Sequence, residues 1–431
     1  MNSLSELMVG ENKLSSEELK SLCFQMGADD VGFVSLDNPL LDDQRADIQK
    51  AFPQTRTLIS IVMKMNREPI RATARSIANA EFHATGEETN EVTRKIVRAL
   101  EDRGIRALNP AMGFPMEMDN FPGKVWLVSH KPVAVAAGLG QMGIHRNVIH
   151  PKFGNFILLS TILIEPEVTE HDTPIDFNPC LSCKLCVAAC PVGAIEPDGY
   201  FNFSSCYTHN YREFMGGFTD WVEDLVDSKN ARDYRSKYRD SESSSMWQSL
   251  SFGANYKAAY CLSVCPAGED VIGPYLESKK DFLTTVVRPL QAKDETVYVV
   301  KGSDAEAHVK KRFPHKKTKR VGGLRPSDVP GFLMGLPLLF QRKVAKGWKA
   351  VYHFHFSGAT KTSHTVVINN GELIVEDGIQ GVANLTMWAD ADTWIKFLRK
   401  DVSMGWALLT RRIRLRGNPK LLLKFGDCFP S

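Results

Sequence analysis

The sequence predicts three consecutive parts: an α/β layer, a cysteine-rich segment and a C-terminal α+β domain. Three observations carry this. From about Leu14 to Pro166, apolar strand-like runs alternate with stretches of helical periodicity. Seven of the nine cysteines then fall between Cys180 and Cys265. After Pro330 period-2 alternation returns, with Asn370-Gly371 between two β-rich runs, the preferred residues of a two-residue hairpin turn.

In the first block, Ser15 followed by Glu17 and Glu18 reads as a capped helix start. Asp30–Ser35, Thr57–Met63, Lys124–Val128 and Phe156–Ile164 read as strands. Thr89–Arg103 reads as an amphipathic helix, with Val92, Ile96, Val97 and Leu100 on one stripe. The boundaries drawn from these patterns are 1–170 for an α/β cofactor-binding domain, 171–300 for the cysteine-rich domain, 301–329 for a linker and 330–431 for the last domain. Asp224–Ser251 is polar and reads as helix or surface excursion. Lys310–Arg325 holds eight Lys or Arg and no acid, as a solvated linker would.

The run Cys180, Cys183, Cys186, Cys190, Pro191 has the spacing C-x2-C-x2-C-x3-C-P, that of bacterial ferredoxin clusters. Three close thiolates take three corners of one cubane, and the fourth Cys turns away toward a second cluster. Cys206 and Cys261-x3-Cys265-Pro266 complete the set. By that crossed logic the first cluster, 4Fe-4S, takes Cys180, Cys183, Cys186 and Cys265. The second takes Cys190, Cys206 and Cys261. Ala258 stands where its fourth thiolate would be. The second cluster is therefore 3Fe-4S, or 4Fe-4S completed by His209 or by a distant Cys. Cys23 and Cys428 read as buried small hydrophobes.

At 431 residues the chain holds several domains. Its net charge of +3 implies no nucleic-acid partner by itself. No apolar run approaches the ~20 residues that cross a bilayer. The N-terminus lacks a basic region followed by an apolar core, so no signal peptide is expected. Cluster thiolates need a reducing compartment, so the expected location is cytoplasmic. Gly138, Gly140 and Gly143 form G-x-G-x-x-G after an apolar run. Only seven residues separate Gly143 from Pro151, too few for the helix that a dinucleotide fold needs. The glycines are expected instead to allow a close backbone approach to another large cofactor or to a packed strand.

The glycine run, Asn147, Pro151-x-Phe153-Gly154, the following strand and the cysteine motif with Pro191-Val-Gly-Ala-Ile195 together resemble epoxyqueuosine reductases and reductive dehalogenases. The resemblance covers about 14–280. It implies a corrinoid-reductase type α/β core and two clusters that feed single electrons to cobalamin, with Gly138, Gly140, Gly143, Asn147 and Gly154 near the corrin. Epoxyqueuosine reductases carry an Asp in a V-D-S-A-P segment, read as proton donor. This chain has Val128-Ser129-His130-Lys131-Pro132, which leaves Asp119, His130 and Lys131 as the candidates for proton transfer.

From about 330 to 429 the order of strand Trp348–Gly358, hairpin Thr365–Glu376, strand Asn384–Asp390, helix Asp392–Arg399 and segment Trp406–Gly417 resembles the sterol carrier protein lipid-binding domain. That resemblance implies a tunnel for acyl chains or sterols. Leu336, Leu338, Leu339, Phe340, Leu408, Leu409 and Leu421–Leu423 are candidate wall residues. The expected function is an iron–sulfur oxidoreductase that passes single electrons to a cofactor or hydrophobic substrate, served by a donor such as ferredoxin or flavodoxin. The rival is an electron-transfer protein without its own substrate chemistry, which the lipid domain localises. No block resembles the helical repeats with which epoxyqueuosine reductases grip transfer RNA, so nucleic acid is not an expected partner.

Overall fold

The computed structural model describes residues 13–113, 117, 126–180 and 183–430. The chain divides into two compact units. One comprises 1–189, 197–199 and 260–292; the other comprises 190–196, 200–259 and 293–431.

The first unit is built on a four-stranded sheet in the order Asp30–Ser35, Thr57–Lys64, Ile157–Ile164, Ala107–Leu108. All its pairs are antiparallel. Alternating strand and helix signals suggested an α/β layer, but periodicity reports strands without their direction. Both faces are covered, which is why Ile157–Ile164 is buried at every position instead of alternating. On one face Val31, Phe33, Ile59, Ile61, Ile162 and Ile164 pack with Leu19, Leu22 and Cys23 of the helix Ser16–Gln25 and with Val92, Ile96 and Leu100. The last three belong to one helix, Arg75–Glu101, which contains most of the expected 89–103 segment. On the other face Val34, Leu58, Leu159 and Leu163 pack with Val133 and Ala134 of the short helix His130–Ala136. The Ser15 hydroxyl accepts from the Glu18 amide at 3.3 Å, as its cap position predicts. Of the expected strand Lys124–Val128, the first two residues lie outside the described residues. Trp126–Val128 is not a strand.

In the second unit the polar stretch folds as three helices, Gly216–Val226, Ala231–Lys237 and Asp240–Phe252. The basic segment 301–329 is not a linker. The strand Lys317–Arg320 pairs in parallel with Thr296–Val299, and the helix Asp304–Arg312 connects them. Several of its cations are paired within the unit. Lys316 bonds Glu295 at 2.7 Å, Lys319 bonds Glu242 at 2.8 Å, Arg320 bonds Glu306 at 2.8 Å, and Arg325 reaches Asp220 at 3.0 Å. Charge counting over 310–325 missed these acids because all lie outside that run, Glu242 and Asp220 by many residues.

The C-terminal sheet runs Glu372–Asp377, Thr362–Asn369, Lys349–Ser357, Leu385–Asp390, Ile413–Gly417. Asn370 and Gly371 both have positive φ, +50° and +89°, so the hairpin turn is of the primed kind its residues predicted. The inner face is aromatic: Phe332, Tyr352, Phe354, Phe356, Trp394 and Phe425 are buried together. Ring centroids lie 5.3 Å apart for Phe332–Trp394 and for Phe354–Phe425. Of the candidate wall residues, Leu336, Leu339 and Phe340 join this core, whereas Leu338, Leu408, Leu409 and Leu423 are exposed.

Candidate iron–sulfur site

The first cluster's expected ligands lie in one unit. The helix Leu185–Ala189 carries Cys186, and the helix Tyr260–Val264, which packs against it, carries Cys261 and leads into Cys265-Pro266. All nine cysteines are free thiols. Burial pushes the Cys265 thiol up to about 12, and the nearby Cys183, Cys180 and Cys261 add to the rise. Cys186 is raised by burial and then by Cys261, Cys265, Cys183 and Cys180. Cys183, Cys186 and Cys265 are thus held toward the neutral thiol, and iron bound there would supply the positive charge that relieves this. The Leu185 amide donates to Cys183 Sγ at 3.5 Å, a contact of the type that stabilises cluster thiolates. Among the described residues no group of three or more Cys, His, Asp or Glu side chains is already placed to hold a metal ion.

Arg71 stands beside this group. Its guanidinium lies 5.3 Å from the Phe156 ring centroid and 5.4 Å from that of Phe282. Its Nε and Nη2 are buried without a hydrogen-bond partner among the described residues. Burial lowers its pKa, against an opposing pull from Glu68 and the Cys265 sulfur. Sequence reasoning missed this arginine because it lies over 100 residues before Cys180, where the cysteine motif begins.

Cys190 and Cys206 belong to the second unit. Burial raises the Cys190 thiol, and the amides of Ala194, Val192, Ile195 and Gly193 lower it. The Ala194 amide is 3.3 Å from its sulfur. His209, a candidate fourth ligand, is buried, and its Nδ1 accepts from the Tyr298 amide at 3.3 Å. That bond places the ring proton on Nε2, so the ring offers a donor there and not a metal-binding lone pair. Ala258 is buried, with its amide on Asn210 Oδ1 at 2.9 Å.

The glycine run forms a tight β-hairpin, Gln141–Met142 against Val148–Ile149, and not a strand-to-helix turn. A Cβ at Gly138 would stand 2.7 Å from the Thr173 carbonyl oxygen, and at Gly140 it would strike the Ile149 carbonyl. At Gly143 it would stand 2.8 Å from the His145 ring. Gly154 and Gly268 lie back to back, with φ of +66° and +112°; a Cβ on either would collide with backbone of the opposing turn. The Glu269 and Asp270 amides bond the Pro151 and Lys152 carbonyls across the same contact at 2.8 and 3.0 Å. Gly138, Gly140, Gly154 and Gly268 therefore close on the chain's own backbone, and Gly143 on the His145 and Ile149 side chains. Of the two approaches the sequence left open, packing against the chain itself is the one seen.

Of the proton-transfer candidates, Asp119 lies outside the described residues. His130 is buried, with Nδ1 2.9 Å from the Thr161 hydroxyl, and burial pushes it down to about 4. It is therefore neutral at pH 7. Lys131 is exposed and donates to the Arg146 carbonyl at 2.7 Å and to Asn147 Oδ1 at 3.1 Å.

Comparison with known proteins defines the class: an iron–sulfur protein joined to a lipid-binding domain. A 4Fe-4S binding domain matches residues 173–196, and the SCP-2 sterol transfer family matches residues 339–430. The chain has homologues among the epoxyqueuosine reductases. The enzyme of Gloeobacter violaceus is 27% identical over 172 residues, which cover 39% of this chain and 50% of that protein. The chain thus spans about half the length of that curated relative. Among solved structures, an epoxyqueuosine reductase with an epoxyqueuosine-modified tRNA stem loop is 20% identical, covering 47% of this chain and 60% of that one, with a TM-score of 0.33. A catabolic reductive dehalogenase is 16% identical, covering 65% and 35%, with a TM-score of 0.40. The expectation that nucleic acid is no partner is overturned by the homology to epoxyqueuosine reductases. No helix among the described residues is long and apolar enough to cross a membrane.

Proposed function

We propose that the protein is a cytoplasmic iron–sulfur oxidoreductase that passes single electrons through two clusters to an acceptor or substrate. The observation that carries this reading is the gathering of Cys180, Cys183, Cys186, Cys261 and Cys265 in one unit. Cys180, Cys183, Cys186 and Cys265 hold the first 4Fe-4S cluster; Cys190, Cys206 and Cys261 hold the second. When bound, each cluster takes up and releases one electron at a time. The chain's own part is to hold the thiolates, to turn amide donors onto Cys183 and Cys190, and to bury a cation, Arg71, beside the first set. The electron donor is a small redox protein of the ferredoxin or flavodoxin kind.

The fused SCP-2 domain supports a hydrophobic substrate, concentrated near the redox core by the covalent tether. A second reading, an RNA-linked substrate, is favoured by the homology to epoxyqueuosine reductases. Cobalamin is the acceptor that likeness to a reductive dehalogenase suggests. We derive no step through it.

The test is iron, acid-labile sulfide and cobalt in anaerobically purified protein from cells supplied with cobalamin. Seven to eight irons per chain are expected from the two ligand sets. About four or fewer would refute the two-cluster reading. Stoichiometric cobalt would establish the corrinoid. Reduction of the clusters with no turnover of lipid or RNA-linked substrates would favour the electron-transfer rival.

A further inference from the structure

The segment Arg399–Lys424 holds eight Lys or Arg and one acid, Asp401. Within it the short helix Met404–Leu409 is capped by Ser403, whose hydroxyl accepts from the Trp406 amide at 3.2 Å. Ala407 is buried and pins the helix to the domain, which turns its larger apolar neighbours outward. Trp406 is 45% exposed, Leu408 38% and Leu409 84%. Arg411, at φ +57°, then reverses the chain into Ile413–Gly417, the last strand of its sheet. There Ile413 is buried while Arg414 and Arg416 point away from the core. Arg412 meets Asp390 at 3.6 Å, and Arg414 lies 5.8 Å from the Trp388 ring centroid. Arg411, Arg416, Lys420 and Lys424 form no ion pair among the described residues. The next helix repeats the composition: Leu423 is 74% exposed and shares a helical face with Lys420.

We propose that this surface docks the protein on an anionic phospholipid bilayer. Trp406, Leu408 and Leu409 enter the headgroup boundary, and Arg411, Arg412, Arg414 and Arg416 meet lipid phosphates. An apolar tip carrying Trp, flanked closely by cations, is the pattern of an interfacial anchor. A polyanion such as RNA would use the cations but has no use for Leu409 in water. A second copy of the chain would bring like charge against like charge. The surface places the lipid domain where its ligands reside, and it does not depend on the redox reading: failure of either leaves the other standing.

The experiment is cosedimentation of the full chain, purified anaerobically, with vesicles of phosphatidylcholine alone or mixed with phosphatidylglycerol, at low and high salt. Binding to the anionic vesicles, weakened by salt, is expected. R411Q/R412Q weakens it about thirtyfold, from the loss of two surface cations. L409D weakens it at least about tenfold. Leu409 is exposed, so L409D keeps the wild-type unfolding midpoint; L409S serves if it does not. Equal binding to neutral and anionic vesicles, no binding to either, or unchanged binding by both variants overturns the proposal. So does loss of binding in R411Q/R412Q with L409D unaffected and an RNA stem loop competing, which would mark a polyanion site.

Discussion

The contact between Gly154 and Gly268 is the sharpest test of how the first cluster's ligands are positioned. Gly268 follows Cys265-Pro266-Ala267, so the turn at 151–154 braces the loop that presents Cys265. Substituting Gly154→Ala has two costs. An L-residue at φ +66° costs about 1–2 kcal/mol. The new Cβ also meets the Ala267 carbonyl, and backbone cannot swing aside as a side chain can. Relief requires the two turns to separate, which breaks the Glu269–Pro151 and Asp270–Lys152 bonds at about 1 kcal/mol each. The sum is about 3–4 kcal/mol. Gly199→Ala isolates the first cost: it lies in the same unit with φ +91°, and its Cβ would meet nothing closer than Ile144 at 3.9 Å. Anaerobic urea unfolding of both variants, with iron content and the electron paramagnetic resonance spectrum of the reduced protein, reads the result. G154A should unfold about 2 kcal/mol more easily than G199A and lose first-cluster iron. Equal stability and full iron in the two variants would refute the brace.

Three further outcomes are expected. Arg71→Gln removes a cation beside Cys265, so the first cluster becomes harder to reduce, by about 40–80 mV if the charge contributes about 1–2 kcal/mol; a potentiometric titration that finds no shift would separate Arg71 from the cluster. Burial holds His130 and His145 down to about 4, so unfolding takes up protons below their ordinary value near 6.5. Stability is then full above about pH 7 and falls as pH drops from 6.5 toward 4, by up to about 3 kcal/mol per histidine; a His130→Asn variant whose unfolding keeps the wild-type pH slope would contradict this. Phe354→Ala should cost about 3–5 kcal/mol in the C-terminal aromatic core, and a calorimetric transition left in place would show that the core is loose there.

Much of this was legible along the chain because it rests on local chemistry. The strands Asp30–Ser35 and Thr57–Lys64 and the Asn370-Gly371 hairpin follow from periodicity and turn residues that act over a few positions. The basic run was misjudged because Glu242, Glu295, Glu306 and Asp220 reach it only through folding. Leu408 and Leu409 were read as tunnel wall because hydrophobicity does not reveal which side of a six-residue helix is pinned by Ala407.

By itself the sequence located the cysteine motif and the order of the parts. Cysteine spacing is a covalent ruler, and the 4Fe-4S match at 173–196 and the SCP-2 match at 339–430 fall where it and the C-terminal alternation pointed. Only the tertiary structure decided what the glycines are for, which arginine stands beside Cys265, and which apolar side chains are left in water. The physical reason is that a glycine, a cation or a leucine takes its meaning from what lies within a few ångströms, and here those neighbours are often separated by a hundred residues of chain.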